Sequence, residues 1–182
     1  MTQPIRLQSL VASPAAGFEQ PFEMLEACHE RVHRMLSLLA RLRAHLKEHG
    51  ADAQAQQAAR DVMRYFDLAA PLHHQDEELH VFPRLLARGD ARITPIVQRL
   101  QRDHVAMEAN WKKARQVLAR VAEGSLDALQ PRDEETLDAF AVPYAEHIAA
   151  EEEIAYPASR ALMDAKEVEA AGREMMERRG VK

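Results

Sequence analysis

One cysteine, six glycines, one tryptophan and no long apolar run: the scarcities of this 182-residue sequence narrow its options first. A lone Cys28 excludes an intrachain disulfide and fits a reducing cytoplasm. No stretch of 18 apolar residues is present, so no transmembrane helix is expected. Gln3, Arg6 and Gln8 interrupt every apolar stretch near the first residue, so no signal-peptide core is expected either. There is no excess of positive charge. The formal charge of −5 gives no electrostatic reason to bind nucleic acid or an anionic membrane. Arg31, Arg34, Arg41 and Arg43 alternate with apolar residues and read as a solvated helix face. No glycine-rich phosphate loop, no nucleophile–base–orienter triad and no strand signal is visible.

What remains is an Ala-, Leu-, Glu- and Arg-rich chain, long enough for one domain with a sizeable core. A first helix is expected from Pro21, with apolar positions Leu25, Val32, Leu36, Leu39, Leu42 and Leu46, ending at Gly50. His45 and His49 fall in its last turns and are assigned to capping or solvent. A second helix runs from about Asp52 to Arg88, bent or broken at Pro71 just before His73 and again at Pro83. The third spans about Ile93 to Glu123. The fourth starts near Asp133, a candidate N-cap, and runs to Arg160 with a disturbance at Pro143. The expected fold is all-α: an up-down antiparallel four-helix bundle over 21–162, with an extended N-terminal arm (1–20) and a C-terminal extra helix or frayed tail (163–182). That tail can pack on its own bundle or pair with a second copy in a homodimer.

Two segments share one frame. His73 to Pro83 and His147 to Pro157 each place a Glu four residues after a His, an aromatic five after the Glu, and a Pro next. On a helix, residues four apart project from one face about 6 Å apart along the axis. Each segment therefore offers an imidazole and a carboxylate to one point. Upstream, His29 precedes His73 by 44 residues and His104 precedes His147 by 43. The repeat indicates one helical hairpin used twice, with four His and two Glu converging. An isolated His-Glu pair at this spacing only steadies a helix by a few tenths of a kcal/mol. That ordinary role does not explain the repeated aromatic-Pro or the repeated upstream His.

Imidazole and carboxylate together suit Fe, Mn or Zn, and no thiolate is on offer. Six ligands exceed what one zinc ion needs but match two metals roughly 3.5–4 Å apart. His29, His73, Glu77, His104, His147 and Glu151 are the candidate ligands of a di-metal centre, completed by a solvent-derived oxo or hydroxo bridge. His33, one turn beyond His29, is a further candidate. His74 and Glu78 form a second pair rotated by about 100° and are read as supporting or exposed groups. His80 lies about 10 Å further along the helix from His73 and is set aside. Phe66, Tyr65, Trp111, Phe140, Tyr144, Phe82 and Tyr156 are read as core and pocket wall, with Tyr144 and Tyr65 as candidate hydrogen-bond donors to a bound ligand.

These residues resemble the hemerythrin-like family, also called the HHE cation-binding domain. The resemblance rests on Ala27-Cys28-His29, on His73 through Pro83, on Asp103-His104 and on His147 through Pro157, and covers about 20–162. It implies an up-down bundle around a non-haem di-iron centre, with His29, His73, His104 and His147 as terminal ligands and Glu77 and Glu151 as bridges. One position departs from the family's oxygen carriers. They have a second His four residues after the first on the third helix, where this sequence has Glu108. Either Glu108 takes the extra coordination place or it leaves one open. The resemblance thus implies a cytoplasmic di-iron protein that binds or senses O₂, NO or peroxide, with Zn or Mn as substitutes. Iron storage, iron delivery or repair of iron centres is the competing reading, and an enzyme reducing peroxide or NO a less favoured one.

Overall fold

The computed structural model describes residues 17–126 and 128–181, and it is all-α. Among the described residues eight α-helices occur in chain order: α1 (Pro21–His49), α2 (Ala53–Asp76), α3 (Phe82–Arg88), α4 (Thr94–Ala122), α5 (Pro131–Ala141), α6 (Tyr144–Ala150), α7 (Tyr156–Arg160) and α8 (Ala165–Arg178). Two five-residue π-helical turns, Glu77–Val81 and Glu151–Ala155, join α2 to α3 and α6 to α7. No strand occurs among the described residues, and none of their helices is long and apolar enough to cross a membrane. Of the arm expected over 1–20, only 17–20 lie within the described residues.

Local chemistry sets the boundaries. Asp52 caps α2, its carboxylate accepting from the N–H groups of Gln54 and Ala55. His45 lies 3.0 Å from the same carboxylate, tying the end of α1 to the start of α2. Gly89 ends α3 in the left-handed conformation at φ 68°, which a side chain would resist. Asp133 is not the N-cap of α5. Gln130 holds that place, and Asp133 sits three residues on, accepting from the Gln130 N–H in a reciprocal box. Pro131 at the first helical position explains the shift, since its missing N–H costs nothing there.

Pro71 does not break α2, contrary to the sequence expectation. It lies on the exposed side of the helix. The break comes instead at Glu77. Pro83 and Pro157 have no N–H to return to the preceding turn, so the helical ladder is interrupted at both places. The ladder accommodates this by widening one step earlier. The Phe82 N–H reaches back five residues to the Glu77 carbonyl, and the Tyr156 N–H to that of Glu151. Pro143 separates α5 from α6, as expected.

The interior holds two apolar clusters. One, built around Leu39, Leu42, Val62, Phe66, Leu118 and Phe140, fills the larger part of the bundle. The other gathers Phe22, Leu25, Phe82, Leu85, Leu100 and Tyr156. Buried polar residues lie between them in sequence on α1 and α4: His29 separates Leu25 from Val32, and His104 separates Leu100 from Met107.

The tail does form an amphipathic helix, α8, packed against its own bundle. Phe18 crosses it so closely that a Cβ at Gly172 would stand 1.8 Å from the Phe18 carbonyl oxygen. Its polar hold is stronger still. Asp76 is fully buried and takes Arg178 Nη1 at 2.9 Å and Arg179 Nη2 at 2.6 Å. His80 meets Glu174 at 2.6 Å, and Arg84 meets Glu167 at 2.7 Å. Removing both partners strands a buried carboxylate. The double variant Arg178→Ala/Arg179→Ala is expected to lose about 3 kcal/mol of stability, read as a lower urea midpoint; an unchanged midpoint would contradict the assigned role of Asp76.

Candidate metal centre

The sequence repeat becomes a spatial cluster. His29 on α1, His73 on α2, Glu77 at the first π turn, His104 on α4, His147 on α6 and Glu151 at the second π turn meet in the interior, all 0–6% exposed. Their inward atoms lie close together. His29 Nε2 is 2.9 Å from His73 Nε2, and His104 Nε2 is 3.1 Å from His147 Nε2. Glu77 faces both pairs, with Oε1 3.4 Å from His73 Nε2 and Oε2 3.4 Å from His104 Nε2. Glu151 does the same, with Oε2 3.2 Å from His29 Nε2 and Oε1 2.9 Å from His147 Nε2.

Outer contacts aim three of the four rings. His29 Nδ1 donates to Glu152 at 2.9 Å and His104 Nδ1 to Glu78 at 3.0 Å, while His147 Nδ1 stands 3.5 Å from Asp103. A carboxylate only accepts, so the proton belongs on Nδ1 and each Nε2 presents its lone pair inward. Glu78 is held in turn by the Gln101 amide at 2.7 Å. It therefore supports His104 without joining the cluster.

The donor set has the character of a cation site. Two imidazole lone pairs do not face one another at about 3 Å without a proton or cation between them. Buried carboxylates without partners are costly, yet Glu77 Oε2 and both oxygens of Glu151 have no aligned hydrogen bond. Contacts of 2.9–3.5 Å between inward atoms also suit neighbouring donors around ions with bonds of roughly 2.1 Å. Burial pushes His104 down, but the nearby carboxylates of Glu151 and Glu77 outweigh it and raise it to about 10. Burial also opposes ionisation of Glu151, yet the nearby imidazoles of His104, His147 and His29 hold its carboxyl well below the ordinary range.

Other candidates fall elsewhere. His74 comes inward: its ring stacks on His104 at 4.0 Å and 11°, forming a three-imidazole group with His104 and His147. Burial, then the charges of His104 and His73, hold it well below its usual value. His33 is exposed and outside the cluster. Glu108 also faces out, its carboxylate 66% exposed and paired with Lys112 at 2.7 Å, one turn away on the same helix. Tyr65 turns away and donates to the Cys28 carbonyl at 3.1 Å. Tyr144 packs among Phe66 and Phe140. The tyrosine at the cluster is Tyr156, whose hydroxyl donates to Glu77 Oε1 and lies 3.3 Å from His29 Nε2, with its ring stacked on His29. Its place directly before Pro157 is the signal that the sequence offers for it. Phe82, its counterpart, stacks on His104 at 5.5 Å.

A model of the hemerythrin HHE cation-binding domain matches residues 20–159. The chain belongs to that family. A protein of Haemophilus influenzae described only as uncharacterized is 32% identical over 176 residues, covering 97% of this chain and 99% of its own length. This hemerythrin-like chain thus carries a buried His/Glu cluster suited to the cations for which the family is described.

Cation uptake has a proton consequence. His104, held protonated to about pH 10 by Glu151 and Glu77 in the cation-free cluster, must shed that proton before Nε2 can donate. Titrating metal-free protein with a divalent cation at pH 8 is expected to release protons, and affinity is expected to fall as pH drops. Binding without proton release would contradict this account.

Proposed function

We propose that the cluster holds two iron ions and that the protein binds or senses a small ligand there: oxygen, nitric oxide or peroxide. The observation that carries this reading is the double facing of Glu77 and Glu151, each with one oxygen toward the His29/His73 pair and the other toward the His104/His147 pair. Two carboxylates so placed can each bridge two cations. Nitrogen and oxygen donors without a thiolate suit iron or manganese, and with His74 they number seven, more than a closed four-coordinate zinc site takes.

When bound, an iron pair supplies electrons and a coordination place to a small oxygen- or nitrogen-containing ligand. The chain's own residues set the conditions. Glu152, Glu78 and Asp103 hold the rings in one tautomer, so the donors do not reorganise on binding. Tyr156 holds an O–H group against Glu77, where it can give a hydrogen bond within a water-poor interior. Phe82 and Tyr156 wall the rings from the second apolar cluster. Burial of all six donors favours retention of the ions over their delivery, since release would require opening the bundle.

Metal analysis of the purified protein, with absorption spectra before and after dithionite and air, tests this reading. About two irons per chain are expected from the two bridging carboxylates, with ferric bands that bleach on reduction and return in air. His73→Ala and Glu151→Ala are each expected to lose more than about half of the iron, whereas His33→Ala keeps it. Zinc alone after ferrous reconstitution, or full iron in both site variants, would refute the proposal.

A further inference from the structure

We infer that the cavity between α2 and α4 is a binding site for a small, largely neutral aromatic molecule with one polar end. The cavity measures about 660 Å³ and reaches inward as far as His74 and His104. That volume sets the class of occupant. A diatomic or peroxide needs room comparable to one or two waters, each about 30 Å³, whereas organic ligands occupy pockets of roughly 300–1,000 Å³.

The lining narrows the choice further. Phe66, Trp111 and Tyr144 bring three aromatic rings to the cavity wall, with Phe66 5.2 Å from Trp111 and 5.8 Å from Tyr144 between ring centroids. Such surfaces favour a flat apolar body through edge and offset contacts. Charges at the rim neutralise one another. Asp67 accepts from Trp111 Nε1 at 3.1 Å and from Arg115 at 2.9 Å, and Glu108 is paired with Lys112. No net charge is left over to select a strongly ionic ligand. At the inner end the wall changes character, to the imidazoles of His74 and His104 and the carboxylate of Glu78. A hydroxyl, carbonyl or hydroperoxide group on the ligand finds hydrogen-bonding partners there, beside the cluster.

The cavity owes its room to the residue one turn past His104. Glu108 lines it but turns its carboxylate outward to Lys112 instead of reaching back toward the cluster. The inference stands on the cavity itself and not on which ions fill the cluster, so the metal analysis above and the binding test below can fail separately.

The test uses the protein as purified and the neutral dye N-phenyl-1-naphthylamine as probe, with naphthol as competitor. Trp111 is the sole tryptophan, so energy transfer from tryptophan to dye reports occupancy near this wall. One saturable site per chain is expected, with transfer from Trp111 and displacement by naphthol. Val105 lines the cavity and is 71% exposed, so Val105→Phe narrows it without disturbing the core. Ala70→Leu narrows it from α2. Each variant, with unchanged circular dichroism, is expected to weaken the dye by about tenfold or more. Absence of saturable binding, or equal affinity in wild type and the folded Val105→Phe variant, would overturn the inference.

Discussion

Two carboxylates with no exposed surface constrain everything else in this bundle. Glu77 and Glu151 are fully buried, and a buried charge survives only where opposite charge or well-placed donors surround it. Four helical segments answer that demand, each bringing one imidazole, and outer carboxylates fix three of the four from behind. The polar centre therefore determines how the helices approach. It parts the apolar interior into two clusters, and neither can shift without moving a ring whose outer nitrogen is already held.

The π turns are how the backbone meets this demand while tolerating proline. A proline inside a helix ordinarily bends it, but position decides the outcome. Pro71 faces outward and leaves α2 intact, whereas Pro83 and Pro157 stand directly after a widened step that starts at a cluster carboxylate. Inserting one residue rotates the next helical segment by about 100°. Phe82 and Tyr156 are thereby carried onto His104 and His29. The aromatic-Pro pair that accompanies each His-Glu pair in the sequence is the trace of this turn.

The helices and the six inward residues are legible in the sequence because both are written in periodicity. Apolar spacing marks α1 to α4, and the four-residue His-Glu step occurs twice in one frame. Periodicity does not reach whatever depends on the exact winding of the chain. An ideal 100° step from His73 places His74 at the periphery, yet helix packing brings it onto His104. Tyr156 has the sequence signature of a pocket wall, because its hydroxyl reaches Glu77 only after the π turn. Glu152 acts across 123 positions of sequence, a pairing that no local pattern encodes. Spacing alone leaves Glu108 open between two roles, and its side chain resolves to Lys112, a partner at the ordinary surface spacing of four.

The repeat is also imperfect, and two of its departures fall on opposite ends of the centre. In the shared frame His74 corresponds to Ile148, and Phe82 corresponds to Tyr156. The His104/His147 end accordingly gains a third imidazole and borders the cavity. The His29/His73 end gains a phenol, its stacked ring and a hydrogen bond to Glu77. Next to Glu77, α8 binds Asp76 through two arginines and closes that side. A centre built from two like halves thus has one end facing a cavity and one end covered. The cavity borders the end where nitrogen donors are most numerous, while the phenol stands on the far side of the shared carboxylate.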